Sequence, residues 1–334
     1  MWMLYAALLA GFSSCRTWAK PAGEGTLDFM VVGDWGGQIL PPYYTTAEKD
    51  VAASMGGAAT AIGSQFTVGL GDNFYLLGVT SVDDQRFQST FENVFTASSL
   101  QSRWYMVCGN HDHYGNASAQ IEYTRLSKRW YMPNFYYTET MTIPGTTTTV
   151  QFIFIDTILM CGTTDPLKRS RKPRGPQSQA QADEEWAWIN ETLQQSTADW
   201  IIMGGHYPVW SIAEHGPTEL MVENLRPLLV QYGVTAYFSG HDHSLQHINE
   251  DGSNVHYFVC GAGHTTDSSQ AHMSDIPSGS LKFHYAPFDL LDKYGGFASV
   301  SVSPSNMTVT YYDASATQLY SVEIPKTRVS QLKK

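Results

Sequence analysis

The chain has 334 residues, enough to bury a large core as one α/β domain or two smaller ones. Hydrophobic residues make up 43% and charged residues 15%, a balance that argues against disorder. The formal net charge of -11 argues against a nucleic-acid partner, because no basic face would release its counterions. An anionic substrate stays open, since bound metals can reverse the local potential.

The chain opens on an apolar run, residues 1–12, too short to span a bilayer comfortably. It suits the core of a signal peptide, with Thr17 and Ala19 as the small residues before cleavage, although no Lys or Arg precedes the run. The expected organisation is a signal peptide over 1–19 and a single catalytic domain over 20–334. No later segment is long and apolar enough for a membrane span. Strand-length apolar runs recur at 27–32, 66–70, 104–108, 150–155, 200–203, 234–238 and 255–260. Several are nearly continuous in hydrophobicity, as strands covered on both faces are.

Helical spacing lies between them. Phe87, Phe91, Val94 and Phe95 share one face, and so do Trp186, Ile189 and Leu193 behind the acidic Asp183-Glu184-Glu185. A third helix is expected over 218–232, stopping at Gly233. The tail from 295 to 320 reads as short antiparallel strands. Alternating strands and helices give a layered α/β fold. The basic, Pro/Gly-punctuated segment 167–175 reads as an exposed loop.

Asn116, Asn190 and Asn306 head N-x-Ser/Thr triplets and are glycosylation candidates in a secreted chain. Of the four cysteines, Cys15 falls in the signal segment. Cys108, Cys161 and Cys260 allow at most one disulfide, and their spacing fits no zinc motif.

Five short motifs each follow an apolar run: Gly33-Asp34-Trp35-Gly36-Gly37, Gly71-Asp72-Asn73-Phe74-Tyr75, Gly109-Asn110-His111-Asp112-His113, Gly204-Gly205-His206-Tyr207-Pro208 and Gly240-His241-Asp242-His243. Any one of them alone reads as a turn, a surface His-x-His or a core aromatic. Together, at the carboxyl ends of strands, their loops can converge on one point. Asp34 and Asp72 offer carboxylate oxygen, Asn110 a neutral carbonyl, and His206, His241 and His243 imidazole nitrogen, the inventory for two transition metals sharing one site. On an extended chain His241 and His243 would face the site while Asp242 faces away, free to orient an imidazole. Tyr75 discriminates among metals. A phenol with an ordinary pKa of about 10 ligates near neutral pH only to a strong Lewis acid such as ferric iron.

These blocks resemble the metallophosphoesterase superfamily, and more specifically the purple acid phosphatases of the small, mammalian type. The resemblance runs from about Asp28 to about Tyr312 and includes 86–92, 127–130, 208–216 and 232–237. It implies a four-layer α/β/β/α sandwich. It implies a ferric ion on Asp34, Tyr75, His243 and one oxygen of Asp72. The other oxygen of Asp72, with Asn110, His206 and His241, would hold a divalent iron, zinc or manganese. His111 and His215 match the family's non-ligand histidines, which contact substrate phosphate or protonate the leaving group. Two departures stand out. Leu220 occupies the position where relatives carry the disulfide partner of the cysteine matching Cys161. The loop 167–175 is more basic than the protease-cut loop it matches, so a processing protease is one partner to consider and a solvated linker is the other reading.

The expected reaction is hydrolysis of phosphate monoesters by attack of a metal-bound hydroxide, with an acidic optimum. The setting would be secreted or lysosomal, the molecule a monomer, and the substrates small molecules or phosphoproteins. The rivals are a two-metal nucleotide phosphodiesterase, against which Tyr75 counts, and a non-enzymatic iron carrier, which has no need of His111 and His215.

Overall fold

A computed structural model of the chain describes residues 25–164, 172–287 and 294–328. The expected signal peptide and part of the basic loop lie outside the described residues. In chain order the strands are β1 (Leu27–Val32), β2 (Phe66–Leu70), β3 (Trp104–Val107), β4 (Trp130–Tyr131), β5 (Tyr137–Thr142), β6 (Thr149–Phe154), β7 (Trp200–Gly204), β8 (Ala236–Ser239), β9 (Leu245–Ile248), β10 (His256–Cys260), β11 (Leu281–Tyr285), β12 (Gly296–Val302), β13 (Asn306–Asp313) and β14 (Gln318–Pro325). They form two mixed seven-stranded sheets, ordered β14-β13-β12-β1-β2-β3-β4 and β11-β9-β10-β8-β7-β6-β5. β1 through β4 run parallel, as do β6, β7, β8 and β10. The tail β12–β14 is an antiparallel meander joined to β1.

The sheets pack face to face through aromatic side chains. Phe29 stacks on Phe66 at 4.8 Å, and Phe152 of the second sheet meets them edge-on at 5.3 and 5.4 Å. Two short helices, α2 (Asn110–His113) and α3 (Ser118–Tyr123), follow β3, and helices cover both outer faces. α1 (Thr46–Ile62) contributes Val51, Met55 and Ala59 to the core on the first sheet. The second sheet sends Ile153, Ile155, Ile201 and Met203 outward against the helical side. There they meet Ile158 and Cys161 of α4 (Thr157–Cys161), Ile189 and Leu193 of α5 (Gln179–Gln195), and Leu229 of α6 (Arg226–Gln231). The result is the four-layer α/β/β/α arrangement. β1, β2 and β7 are buried throughout, which is why they read as continuous apolar runs.

Several helices differ from the sequence expectation. α5 begins at Gln179, capped by the Ser178 side chain, so the acidic triplet lies in its second turn. Glu185 of that triplet is buried and accepts a hydrogen bond from the Asp156 amide at 2.7 Å. The Phe87–Glu92 stretch is a single π-helical segment, and Phe87 and Phe91 are both buried in the core. The helix expected over 218–232 is a π-helical segment, Met221–Leu225, running into α6. Cys108, Cys161 and Cys260 are buried free thiols, so no disulfide forms among the described residues.

Candidate metal centre

The loops leaving β1, β2, β3, β7 and β8 meet at the carboxyl edge of both sheets. Aromatic anchors hold the first two of them there. Trp35, next to Asp34, packs edge-on against Phe74, next to Tyr75, with centroids 6.0 Å apart, and Trp104 and Trp130 close around Trp35 at 6.3 Å each. Burying the neighbour fixes the direction of the polar side chain beside it. Asp34, Asp72 and His241 adopt φ of 58°, 50° and 69°, the left-handed region that few non-glycine residues occupy. His241 therefore turns toward the cavity by a backbone kink, not by the strand alternation expected for His241 and His243.

Two sets of donors converge. In the first, the Tyr75 hydroxyl donates to Asp34 Oδ1 at 2.9 Å and lies 2.9 Å from His243 Nε2, and His243 Nε2 is 3.5 Å from Asp34 Oδ1. In the second, ligand atoms of Asp72, His206 and His241 all lie within 4.8 Å of one another, and Asn110 Oδ1 is 3.0 Å from His206 Nε2. All seven predicted donors are thus assembled. The two sets are also tied through the His241 N–H, which donates to Asp34 Oδ2 at 2.8 Å, while the His111 N–H beside Asn110 holds Asp72 Oδ1 at 2.8 Å.

The chemistry of this donor set fits metal cations. Asp34 and Asp72 are almost wholly buried, and among the described residues their ion-pair partners are histidines. Buried carboxylates without a fixed cation are costly unless one is bound. His206 Nδ1 faces the Leu70 carbonyl at 2.9 Å and must donate to it, which leaves the Nε2 lone pair for a ligand. Burial works against charging His206, yet Asp72 and Asp34 raise it to about 9 without metal. Burial pushes the Tyr75 phenol well above its usual value, and Asp34 and Asp72 add to the effect. Burial and the surrounding histidines keep His241 neutral.

His111 and His215 line the same cavity, of about 570 Å³, whose rim also carries Ile39, Leu76, Glu214 and Asp267. His215 is held by Asp242, whose Oδ1 accepts from its ring at 2.8 Å and from its amide at 2.9 Å. His111 Nδ1 donates to the Leu76 carbonyl at 2.7 Å. Three further residues at the site lie outside the predicted set. Asp112 accepts from the amides of Gly109, Asn73 and Phe74 and so clamps two of the loops together. Arg86 bridges the carbonyls of Gly36 and Gly78 at 3.0 and 3.1 Å. His264 enters the cavity from the turn after β10, Gly261-Ala262-Gly263-His264, which repeats the pattern of the five motifs. A separate group, Cys108, His113 and Asp156, also has metal-ligating atoms within 4.8 Å. Its His113–Asp156 hydrogen bond of 2.7 Å and a thiol that burial pushes far up make it a closed structural contact.

Residues 27–245 match the family model for calcineurin-like phosphoesterases. Over 310 residues the chain is 45% identical to tartrate-resistant acid phosphatase type 5 of Oryctolagus cuniculus, covering 92% of this chain and 94% of that one. The chain belongs to the purple acid phosphatases. These are phosphoester hydrolases, and a plant member, purple acid phosphatase 17 of Arabidopsis thaliana, is 31% identical across 88% of this chain and 83% of its own. A solved structure titled as GAP50, the anchor in the inner membrane complex of Plasmodium, superposes with a TM-score of 0.77 over 91% of this chain and 90% of that one, at 20% identity. That likeness concerns the fold alone. No helix of the described residues is long and apolar enough to cross a membrane.

Proposed function

We propose that this purple acid phosphatase hydrolyses phosphate monoesters at an acidic optimum, using seven donors to hold two cations. Asp34, Tyr75, His243 and Asp72 would hold ferric iron, and Asp72, shared between the two positions, with Asn110, His206 and His241 would hold divalent iron, zinc or manganese. The observation that carries this reading is the Asp34–Tyr75–His243 triangle, three buried or half-buried donors within 3.5 Å that include a phenol. Two such cations, when bound, neutralise phosphate oxygens and make the attacking nucleophile available at low pH.

The chain's own groups do the rest. The Leu70 carbonyl fixes the His206 tautomer, and the Asp34 and Asp72 carboxylates are aimed by the amides of His241 and His111. Asp242 orients the His215 ring, and His215 serves as the proton donor to the departing alkoxide. His111, tethered to the Leu76 carbonyl beside Asp72, meets the phosphate or shares that role.

The same reading covers the rest of the molecule. Residues 20–334 act as a single catalytic domain behind a signal peptide over 1–19, and the enzyme is a secreted or lysosomal monomer. Of the glycosylation candidates, Asn116 and Asn190 are exposed, whereas Asn306 is half-buried and accepts from the Ser303 hydroxyl at 2.5 Å. Asn116 and Asn190 are therefore the better acceptors. Lys172 and Arg174 at the end of the basic loop are exposed, which supports access for a processing protease.

A panel of p-nitrophenyl phosphate, phosphopeptides and bis-p-nitrophenyl phosphate, run across pH 4 to 8, tests the reaction. Higher kcat/KM on the monoesters with an acidic maximum supports the proposal. Preference for the diester would replace it with a phosphodiesterase, and metal-loaded protein without turnover would replace it with an iron carrier.

A further inference from the structure

His264 stands in the cavity in contact with two donors of one metal position. Its Nδ1 lies 2.6 Å from the Asp34 carbonyl oxygen, which can only accept, so Nδ1 carries a proton and donates it. Its ring lies against the Tyr75 ring, centroids 4.5 Å apart and tilted by 36°, and reaches the His243 ring at 5.4 Å. The backbone that presents it is docked as firmly. Gly263 N–H donates to the Gly33 carbonyl at 3.0 Å, and a Cβ on Gly263 would fall 2.4 Å from that oxygen and 2.7 Å from Trp35 Cβ. The Thr45 hydroxyl donates to the His264 carbonyl at 3.4 Å. The turn after β10 is therefore locked onto the turn after β1, and His264 is the side chain that crosses between them.

We infer that His264 is a positioning residue for the phenol of Tyr75. Its ring shields one side of the phenol from water, and its Nδ1–H pins the backbone of Asp34, so that the two oxygen donors keep their relative setting. The inference rests on the reading of Tyr75 as a ferric ligand. It has a spectroscopic consequence, because water reaching a metal-bound phenolate stabilises its filled orbitals and raises the energy of the phenolate-to-iron transition.

The experiment uses the full chain reconstituted with ferric iron, comparing wild type with His264→Ala, His264→Phe, His264→Asn and Tyr75→Phe. In wild type a visible band is expected that Tyr75→Phe abolishes. His264→Ala should move the band to shorter wavelength and weaken ferric binding, measured against a chelator, by roughly 10–100-fold, as loss of an outer partner of a metal ligand does. His264→Phe keeps a ring on the phenol and should hold the band near its wild-type position, while losing part of the ferric affinity with the lost donor. His264→Asn keeps a donor but no ring, and its band should move as that of His264→Ala does. A band that Tyr75→Phe abolishes but that neither His264→Ala nor His264→Asn moves overturns this inference alone. A band that survives Tyr75→Phe overturns the ligand reading of Tyr75, and this inference with it.

Discussion

Asn110 is the weakest donor of the seven, a neutral carbonyl oxygen 3.0 Å from His206 Nε2. The proposed assignment puts it at the divalent position, with no counterpart near Tyr75. Asn110→Ala should weaken divalent binding by at least roughly tenfold and leave ferric binding almost unchanged. Metal analysis after dialysis against a chelator measures both, and equal loss of the two metals would contradict the assignment. The candidate donors were legible in the sequence because five of them, Asp34, Asp72, Asn110, His206 and His241, directly follow a glycine behind an apolar run, and Tyr75 and His243 fall within the same motifs. What could not be read was how they are aimed. The left-handed φ of Asp34, Asp72 and His241 is a property of the assembled turns, and the Nδ1–H of His206 points at a carbonyl 136 positions away in the chain. His264 obeyed the same pattern as the five motifs, after an apolar run that was itself recognised, yet a lone His behind Gly-Ala-Gly carries little weight until its turn is seen against β1.

At the scale of elements, the strand-end turns are packed backbone against side chain. An ideal Cβ on Gly109 would fall 2.2 Å from Asp72 Oδ1 and 2.8 Å from His206 Cε1. Gly109→Ala must displace a candidate ligand, at a cost of about 1–3 kcal/mol from overpacking. The α5 cap offers the contrast. Ser178→Ala should cost about 1 kcal/mol by removing the hydrogen bond to the Gln181 amide, far from the metals. Thermal unfolding and bound metal, measured together, separate the two. Gly109→Ala should lose metal, whereas Ser178→Ala should keep its full complement at a lower melting temperature. Metal retained by Gly109→Ala would show that this turn does not set Asp72. The buried strands were easy to read from their continuous apolar runs, and the tail meander from its alternation. α1 was not, because its alanines, glycines and threonines carry a thin apolar signal and its start is set by the Thr45–Glu48 capping box. The π-helical segments at Phe87–Glu92 and Met221–Leu225 follow from tertiary packing that local periodicity does not encode.

For the whole molecule, acidity bears on stability as well as on catalysis. Burial holds His247 down to about 3, with His256 and Lys282 adding to it, and burial holds His256 down to about 4, with Lys282 again adding. Both stay neutral in the fold, while in the unfolded chain they charge below about pH 6.5. The unfolded state then binds more protons, so these two groups make stability fall as pH drops from about 6.5 toward 4. For His247 alone the loss is about 2 kcal/mol by pH 5. Glu185, whose carboxyl burial pushes well up, works in the opposite direction, so the comparison needs a variant. His247→Gln should start with a lower melting temperature at pH 7.5 and lose less on going to pH 5 than wild type does. An equal loss in the two proteins would remove His247 as the cause.

The central claim is that loops from both sheets grip two cations through Asp34, Asp72, Tyr75, Asn110, His206, His241 and His243. Anomalous diffraction from crystals of the purified protein, collected above the iron and zinc edges, tests it most directly. The account predicts two peaks about 3.5–4 Å apart with Asp72 between them, the iron peak beside Tyr75. A single peak, no peak, or peaks at the Cys108–His113–Asp156 group instead would contradict it.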